Sequence, residues 1–143
     1  MRLPVPPHPV PAGPLAVRWV SYELPEARAG TTRTARVEIA NDGTAAWDAG
    51  GLSAVRLSYH WLDPLGNALV QDGVRTPLPR DVRPGERVEV DMAVAFPHPP
   101  GRRRIELDLV IEGRAWFAEL GNTPLAFVVD VLPRLRRRTL SVT

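Results

Sequence analysis

A strict alternation of side-chain character between Val55 and Trp61 is the feature that most constrains this chain. Val55, Leu57, Tyr59 and Trp61 occupy every second position, and polar residues fill the positions between them. Successive side chains leave a β-strand on opposite faces, so this period of two predicts a strand with one buried face. A strand of this kind that ends in a large aromatic residue is typical of the centre of a β-sandwich.

The same alternation recurs along the chain and predicts about eight strands and no helix. The other predicted strands cover residues 16–22, 33–40, 68–71, 87–96, 103–111, 115–117 and 127–131. Sixteen prolines and eleven glycines fall mainly between these segments and in the first fourteen residues, as in turn-rich all-β proteins. We therefore expect an all-β fold, an immunoglobulin-like antiparallel β-sandwich of about seven or eight strands.

The sequence predicts one folded domain between two extended ends. Residues 1–14 contain six prolines, which predicts a flexible polyproline arm that cannot join a ladder or a helix. The sandwich then spans residues 15–132, and residues 133–143 form an arginine-rich tail. The arm could be a docking segment or a spacer, and we prefer the spacer because terminal segments are commonly mobile.

The chain lacks the residues that several kinds of chemistry require. It has no cysteine, and His8, His60 and His98 are far apart, so no metal site is predicted. No phosphate-binding glycine loop or nucleophile elbow occurs, so we expect no enzymatic activity and no cofactor. The net charge is only +2, and the arginine-rich tail lacks interleaved aromatic residues, which disfavours nucleic acid as a partner.

The same features bear on location. No segment has the length of a membrane span or the pattern of a secretory signal, so a cytoplasmic location is slightly favoured. Contact of the arginine-rich tail with an anionic membrane surface is the weaker option.

Polar residues on the outer face of the predicted sheet form a first candidate site. Glu106 and Asp108 share one face of their strand, about 6–7 Å apart, a separation that would suit two acids at a glycosidic bond. We prefer a solvated face balanced by Arg104 and Arg56. His60 would share that face, so a polar binding patch is the alternative if the two strands are neighbours.

The four tryptophans form a second set of candidates. Trp19 and Trp61 follow the inward parity and are predicted to be buried. Trp47 and Trp116 lie beside turns, where burial and contact with a sugar or a protein partner both remain open.

Arg75 leads an extended segment, 75–79, which its prolines restrict to a sheet edge. Glu112 ends the strand 103–111, and Trp116 follows within one hairpin. If these segments meet, Arg75 and Glu112 would form a charge-assisted pair beside the Trp116 indole. The group could be a latch for the edge segment or a platform for a sugar. We prefer the latch because a paired arginine has fewer donors left for a ligand.

Several stretches resemble known domains. Four of them lie at 29–31, 39–47, 83–86 and 97–101. With these, residues 30–132 resemble the immunoglobulin-like four-tryptophan domain of selective-autophagy receptors, which is also widespread in bacteria. Residues 59–61, 75–79 and 109–117 are similar to accessory modules of bacterial polysaccharide glycosyltransferases, and Trp61 and Trp116 sit with that bacterial pattern. Those relatives are non-catalytic, so the resemblance implies a binding or assembly module.

These observations together predict a non-catalytic protein-interaction or structural subunit. A carbohydrate-binding module associated with polysaccharide synthesis or export is the alternative. A protein partner would use an edge strand such as 75–79, the proline arm or the arginine-rich tail. The residues expected to contact a ligand or partner are Trp116, Arg75, Glu112, Trp47, His60 and Arg56.

Overall fold

A computed structural model describes residues 1–135, which form an all-β protein with one short 3₁₀ helix. The strands are β1 (Leu3–Pro4), β2 (Val17–Glu23), β3 (Thr32–Asn41), β4 (Val55–Leu62), β5 (Ala68–Val70), β6 (Thr76–Pro77), β7 (Arg87–Ala95), β8 (Gly101–Ile111), β9 (Ala115–Trp116) and β10 (Leu125–Val131). The 3₁₀ helix covers Phe117–Leu120.

The strands form two antiparallel sheets packed face to face, so the predicted all-β sandwich is confirmed. One sheet has the order β1-β2-β3-β7, and the other has the order β10-β8-β4-β5. In the second sheet β6 also pairs with β4, and β9 pairs with β8. There are ten strands in the described part of the chain instead of seven or eight, because two-residue pairings such as β1 and β6 count as strands.

The core is built around β4, as its alternation predicts. Val55, Leu57, Tyr59 and Trp61 are all buried between the sheets. The two aromatic residues also link the sheets through their polar atoms: Tyr59 Oη accepts a hydrogen bond from Ala95 N at 2.8 Å, and Trp61 Nε1 donates to Ala95 O at 3.0 Å. Because the Trp61 N–H has an acceptor and the Tyr59 oxygen has a donor, both rings fill the core with a hydrogen bond to each polar atom.

Two buried asparagines connect loops to the sandwich. The Asn41 side-chain amide donates to the carbonyl oxygen of Val82 at 2.9 Å, in a loop 41 residues away along the chain. Asn122 Oδ1 accepts a hydrogen bond from Val17 N at 2.9 Å, and its amide nitrogen donates to Phe117 O at 3.0 Å. Each side chain therefore replaces ladder hydrogen bonds at a position where the strands have ended.

The proline-rich segment 1–14 packs against the sandwich, so the prediction that it cannot join a ladder is wrong. β1 pairs with β2, and His8 Nε2 accepts a hydrogen bond from Trp19 N at 3.1 Å. Proline is compatible with an edge strand, where its missing N–H leaves no ladder bond unmade. The high proline content identified an extended segment but did not determine whether it docks.

The predicted arginine-rich tail lies mostly outside the described residues, because the description ends at Leu135. Within residues 1–135, no helix is long and apolar enough to cross a membrane.

Candidate functional site

An open groove of about 340 Å³ lies on the outer face of the sheet that contains β4 and β8. The register of these neighbouring strands places His60 directly opposite Glu106, as the polar-patch interpretation required. We call this cavity the outer-sheet groove. Its walls are formed by His60, Leu62, Gln71, Glu106, Asp108, Trp116, Ala118, Glu119 and Pro124.

The half-buried Trp116 indole is the aromatic wall of the outer-sheet groove beside the His60 ring. Its ring centre lies 4.3 Å from the His60 ring, with 57° between the planes. The Arg75 guanidinium carbon lies 4.7 Å from the same indole centre. The hairpin from β8 to β9 brings Trp116 to this position, since β9 pairs with the end of β8 and the indole reaches back across the outer face. An aromatic surface therefore stands beside a row of polar side chains.

The guanidinium of Arg75 faces hydrogen-bond acceptors on four neighbouring residues. Its Nε donates to Glu112, and its Nη2 donates to Asp72 at 3.0 Å. Its Nη1 donates to Gly73 O at 3.0 Å and approaches Ser58 Oγ at 3.4 Å. The predicted Arg75–Glu112 pair beside the Trp116 indole is present. A guanidinium with this many partners has few donors left for a ligand, which favours the latch.

Asp108 is only 1% exposed, so the prediction of a solvated outer face is wrong at this residue. Its Oδ1 accepts a hydrogen bond from Leu109 N at 2.8 Å, and its Oδ2 accepts one from Ala118 N at 3.1 Å. Burial raises the pKa of the Asp108 carboxyl group to about 6, against the opposing effect of these two backbone donors. The cause of the burial is the 3₁₀ helix Phe117–Leu120, which folds back over the sheet.

Two further carboxylates border the outer-sheet groove. Glu106 Oε1 lies 3.4 Å from Arg104 Nε in a partly exposed ion pair. Glu119 Oε1 accepts a hydrogen bond from Trp116 N at 3.1 Å, which fixes the start of the 3₁₀ helix. No arginine lines the groove within the described chain, and the sequence has no lysine. The groove therefore has an electronegative character.

His60 presents one ring nitrogen for recognition. Its Nδ1 forms a hydrogen bond with the main-chain oxygen of Gln71. Because a carbonyl oxygen can only accept, Nδ1 carries the proton. In the neutral ring Nε2 is then a hydrogen-bond acceptor, which adds to the acceptor groups of the outer-sheet groove.

A second groove of about 390 Å³ adjoins the first. It shares Glu106 and Pro124 with the outer-sheet groove, and Trp19 and the proline-rich segment form its other walls. The docked N-terminal segment thus extends the recessed surface along the outer face.

The remaining predicted residues lie away from the outer-sheet groove. Trp47 is 0% exposed and packs edge-on against Phe117 with ring centres 5.9 Å apart, so it cannot contact a ligand in the folded protein. Arg56 lies opposite Val110, beyond the end of the groove. Arg75 and Glu112 line a separate pocket of about 220 Å³ that shares Trp116 and Glu119 with the groove. Of the six residues expected to contact a ligand or partner, only His60 and Trp116 line the outer-sheet groove, together with Glu106 and Asp108 of the predicted polar patch.

Glu119 is a groove residue that the alternation of the sequence does not predict. A signal for it exists, since a glutamate three residues after the start of a helix commonly accepts a backbone hydrogen bond there. Gly121 adds to that signal because it takes a left-handed conformation at the end of the helix. Together they predict a short helical turn that places Glu119 beside Trp116.

Comparison with known proteins gives no family for this chain. No protein-family model matches it, and a search of curated proteins finds no significant similarity. The resemblance to four-tryptophan domains and glycosyltransferase accessory modules therefore rests on the sequence motifs alone. Among residues 1–135, no group of three or more histidine, aspartate or glutamate side chains could hold a metal ion.

Proposed function

We propose that this protein is a non-catalytic interaction module that binds a segment of a partner protein carrying an arginine or lysine. The observation that carries the proposal is the composition of the outer-sheet groove, which is lined by the Trp116 indole and three carboxylates and by no arginine or lysine. A cation is attracted by the face of an indole and by carboxylate acceptors alike. A basic side chain with an aliphatic stem matches both kinds of wall.

The neighbouring Arg75 illustrates the same recognition within the chain. Its guanidinium lies against the Trp116 ring and donates to Glu112 at the same time. The outer-sheet groove offers a second guanidinium the remaining indole surface together with Glu106 and Glu119. Since both glutamates are partly exposed, they can contact an incoming side chain without the loss of a buried hydrogen bond.

The carboxylates of the groove have protein partners that support binding over catalysis. Both oxygens of Asp108 accept backbone hydrogen bonds, and the residue is covered. Glu106 is paired with Arg104. A general acid and base at a glycosidic bond would each need an oxygen free to exchange a proton with the substrate or a water.

The experiment is a titration of the ¹⁵N-labelled full chain, followed by NMR, with the peptide Ac-Gly-Arg-Gly-NH₂. We expect shifts of the Trp116 indole N–H and of the His60 and Glu106 amides, with weak millimolar affinity for so small a ligand. The matched peptide with citrulline in place of arginine keeps the shape and removes the charge. We expect at least a fivefold smaller response to it.

Variants assign the response to the outer-sheet groove. Glu119→Gln keeps an oxygen for the Trp116 N–H and removes one charge, so the fold is retained while binding of the arginine peptide weakens several-fold. Glu26→Gln removes the same charge from an exposed residue elsewhere and serves as the control. Equal responses to arginine and citrulline, or shifts located outside the groove, would overturn the proposal.

A glycan is the second candidate, favoured by one specific observation. The Trp116 indole lies beside Glu106 and the acceptor nitrogen of His60, and sugar recognition combines a stacking ring with polar acceptors for hydroxyl groups. A glycan array probed with the full chain tests this candidate. Retention of a neutral oligosaccharide that is lost in Trp116→Ala but kept in Glu26→Gln would replace the basic segment with a sugar.

A further inference from the structure

The outer-sheet groove and the second groove share one floor. His60 lies opposite Glu106 on β8, and Glu106 lies opposite Ala126 on β10. These three residues form a single row across three strands, with Glu106 in the middle. His60 and Glu106 line the outer-sheet groove, and Glu106 and Ala126 line the second groove. The two grooves are therefore one trough that runs across the strands of the larger sheet.

The second groove differs from the outer-sheet groove in its chemistry. Its ionised walls, Arg104 and Glu106, form an ion pair with 3.4 Å between Nε and Oε1, so their charges neutralise each other. Apolar side chains form much of the rest, from residues 5–7 on one side and from residues 124–126 on the other. This end of the trough suits an apolar side chain, whereas the Trp116 end suits a cation.

The wall that the N-terminal segment supplies is held in place. Val5 N donates to Val20 O at 2.9 Å, directly after the β1–β2 ladder, and His8 Nε2 accepts from Trp19 N at 3.1 Å. The two prolines between these anchors, Pro6 and Pro7, are exposed and border the groove. The second groove is thus formed before any ligand arrives, which lowers the entropic cost of binding.

The length of the floor sets the spacing between the two contacts. Neighbouring strands lie about 4.8 Å apart, so His60 and Ala126, two strands apart, are separated by about 9.6 Å. A polyproline II helix advances about 3.1 Å per residue with three residues per turn, which puts side chains i and i+3 on one face about 9.3 Å apart. A β-strand offers about 6.7 Å for i and i+2 or about 13 Å for i and i+4. The floor therefore matches polyproline II and not a β-strand.

We infer that the trough binds a polyproline II segment of the partner protein in which a basic residue and an apolar residue are three positions apart. The basic residue occupies the outer-sheet groove, as in the proposed function on which this inference rests, and the apolar residue occupies the second groove. Charge complementarity selects this occupant, because the carboxylates lie at one end of the trough and a neutralised ion pair lies at the other. The geometry sets the spacing and leaves the chain direction of the partner open.

The experiment is an NMR titration of the ¹⁵N-labelled full chain with short proline peptides. Ac-Arg-Pro-Pro-Leu-NH₂ and Ac-Leu-Pro-Pro-Arg-NH₂ present the required spacing in the two directions, and the residue before each proline is kept extended. We expect one of them to bind about fivefold tighter than the same peptide with alanine in place of leucine. The amides of Thr123 and Ala126, which line the second groove, should shift with the leucine peptide and much less with the alanine peptide.

A peptide of the same composition tests the spacing. Moving the leucine by one position, as in Ac-Arg-Pro-Leu-Pro-NH₂ or Ac-Pro-Leu-Pro-Arg-NH₂, turns its side chain about 120° away from the face that carries the arginine. We expect these peptides to bind no tighter than the alanine peptide.

A pair of variants assigns the leucine contact to the second groove. Ala126→Phe fills the floor at an outward position of β10, so the advantage of leucine over alanine should disappear while the arginine-dependent binding remains. Val128→Phe makes the same kind of addition two residues further along the outer face, at a side chain that is 57% exposed and lines neither groove. This control should retain the advantage, and both variants should keep the circular dichroism spectrum of the parent.

The outcomes separate this inference from the proposed function. Equal affinities for the leucine and alanine peptides in both directions, with binding still dependent on arginine, would overturn the inference and leave the proposed function standing. An advantage of leucine that survives its move by one position, or that persists in Ala126→Phe, would equally overturn it, because the apolar contact would then lie elsewhere. If none of the arginine peptides binds, the proposed function fails and this inference fails with it.

Discussion

The guanidinium of Arg75 lies 4.7 Å from the centre of the Trp116 ring while its Nε donates to Glu112. A planar guanidinium can stack on a ring and donate in its own plane simultaneously, which lysine cannot reproduce. The contact joins the segment before β6 to the hairpin between β8 and β9. Arg75 therefore connects two stretches that no strand pairing unites.

The energy of this connection can be measured with a double-mutant cycle of Arg75→Gln and Glu112→Gln. We expect a coupling of about 1 kcal/mol in the free energy of unfolding, because the ion pair is charge-assisted but partly exposed. Urea denaturation of the parent and three variants gives the value. A cycle of the exposed pair Arg102 and Asp130 provides the control and should give near zero. Additive single effects at Arg75 and Glu112 would show that the latch does not stabilise the fold.

Substitution of Trp116 distinguishes the latch hypothesis from the hypothesis of a sugar platform. The side chain is half-buried, so Trp116→Ala should lower the free energy of unfolding by roughly 2–3 kcal/mol, less than for a fully buried aromatic residue. Trp116→Phe retains a ring against Arg75 and should recover at least half of that loss. Thermal denaturation is the measurement. An unchanged melting temperature in Trp116→Ala would contradict the latch and favour a ring that serves only a ligand.

The raised pKa of Asp108 predicts that the stability of the protein depends on pH. Its pKa is about 6 in the folded protein against a reference value of 3.8, so the folded state binds more protons between these values. The Asp108 contribution to the free energy of unfolding therefore falls as the pH rises from about 4 to above 6, by roughly 2–3 kcal/mol.

The comparison that isolates this contribution uses Asp108→Asn. The amide sets its NH₂ group against one of the two backbone donors, a cost that does not vary with pH. Relative to the parent, the variant should therefore gain roughly 2–3 kcal/mol between pH 4 and pH 7. Asp91→Asn, at an exposed residue, should show a much smaller change. A parent–variant difference that stays constant with pH would exclude a raised pKa.

The docked N-terminal segment should contribute to stability. A chain that lacks residues 2–8 loses the β1–β2 ladder and the hydrogen bond from Trp19 N to His8. We expect the free energy of unfolding to fall by roughly 1–3 kcal/mol, from the lost hydrogen bonds and the apolar surface of Trp19 that becomes exposed. His8→Ala, which removes only the acceptor for Trp19 N, should account for about 1 kcal/mol. Equal melting temperatures for parent and truncated chain would restore the interpretation as a free spacer.

Most of the fold follows from local patterns that the sequence displays directly. The alternation in β4, β7 and β8 determines which side chains face the core, because parity along a strand is a local property. The contact of Arg75 with Glu112 and Trp116 could also be predicted from the sequence, since β8 and β9 are joined by one tight turn. A residue that follows a tight turn, such as Trp116 on β9, lies beside the end of the strand that precedes the turn.

The burial of Asp108 could not be predicted from the sequence, for a physical reason. Parity assigns its side chain to the outer face but does not say what covers that face. The cover is the 3₁₀ helix that follows β9, and its position depends on contacts far apart in the chain, such as Asn122 with Val17. Trp47 is a similar case, because its position beside a turn does not predict burial, and the residue is buried in the core, where its ring packs against Phe117.

The two buried asparagines carry a consequence for the lifetime of the protein. The Asn41 amide nitrogen donates to both Ala45 O and Val82 O. Hydrolysis of that amide during storage would leave a carboxylate that faces two carbonyl oxygens with no donor between them. The same chemical change at Asn122 would remove the side-chain donor to Leu15 O and would set a carboxylate oxygen against the carbonyl oxygen of Phe117. Deamidation at either residue would thus release a loop from the sandwich, and an ageing preparation should lose loop order before it loses its strands.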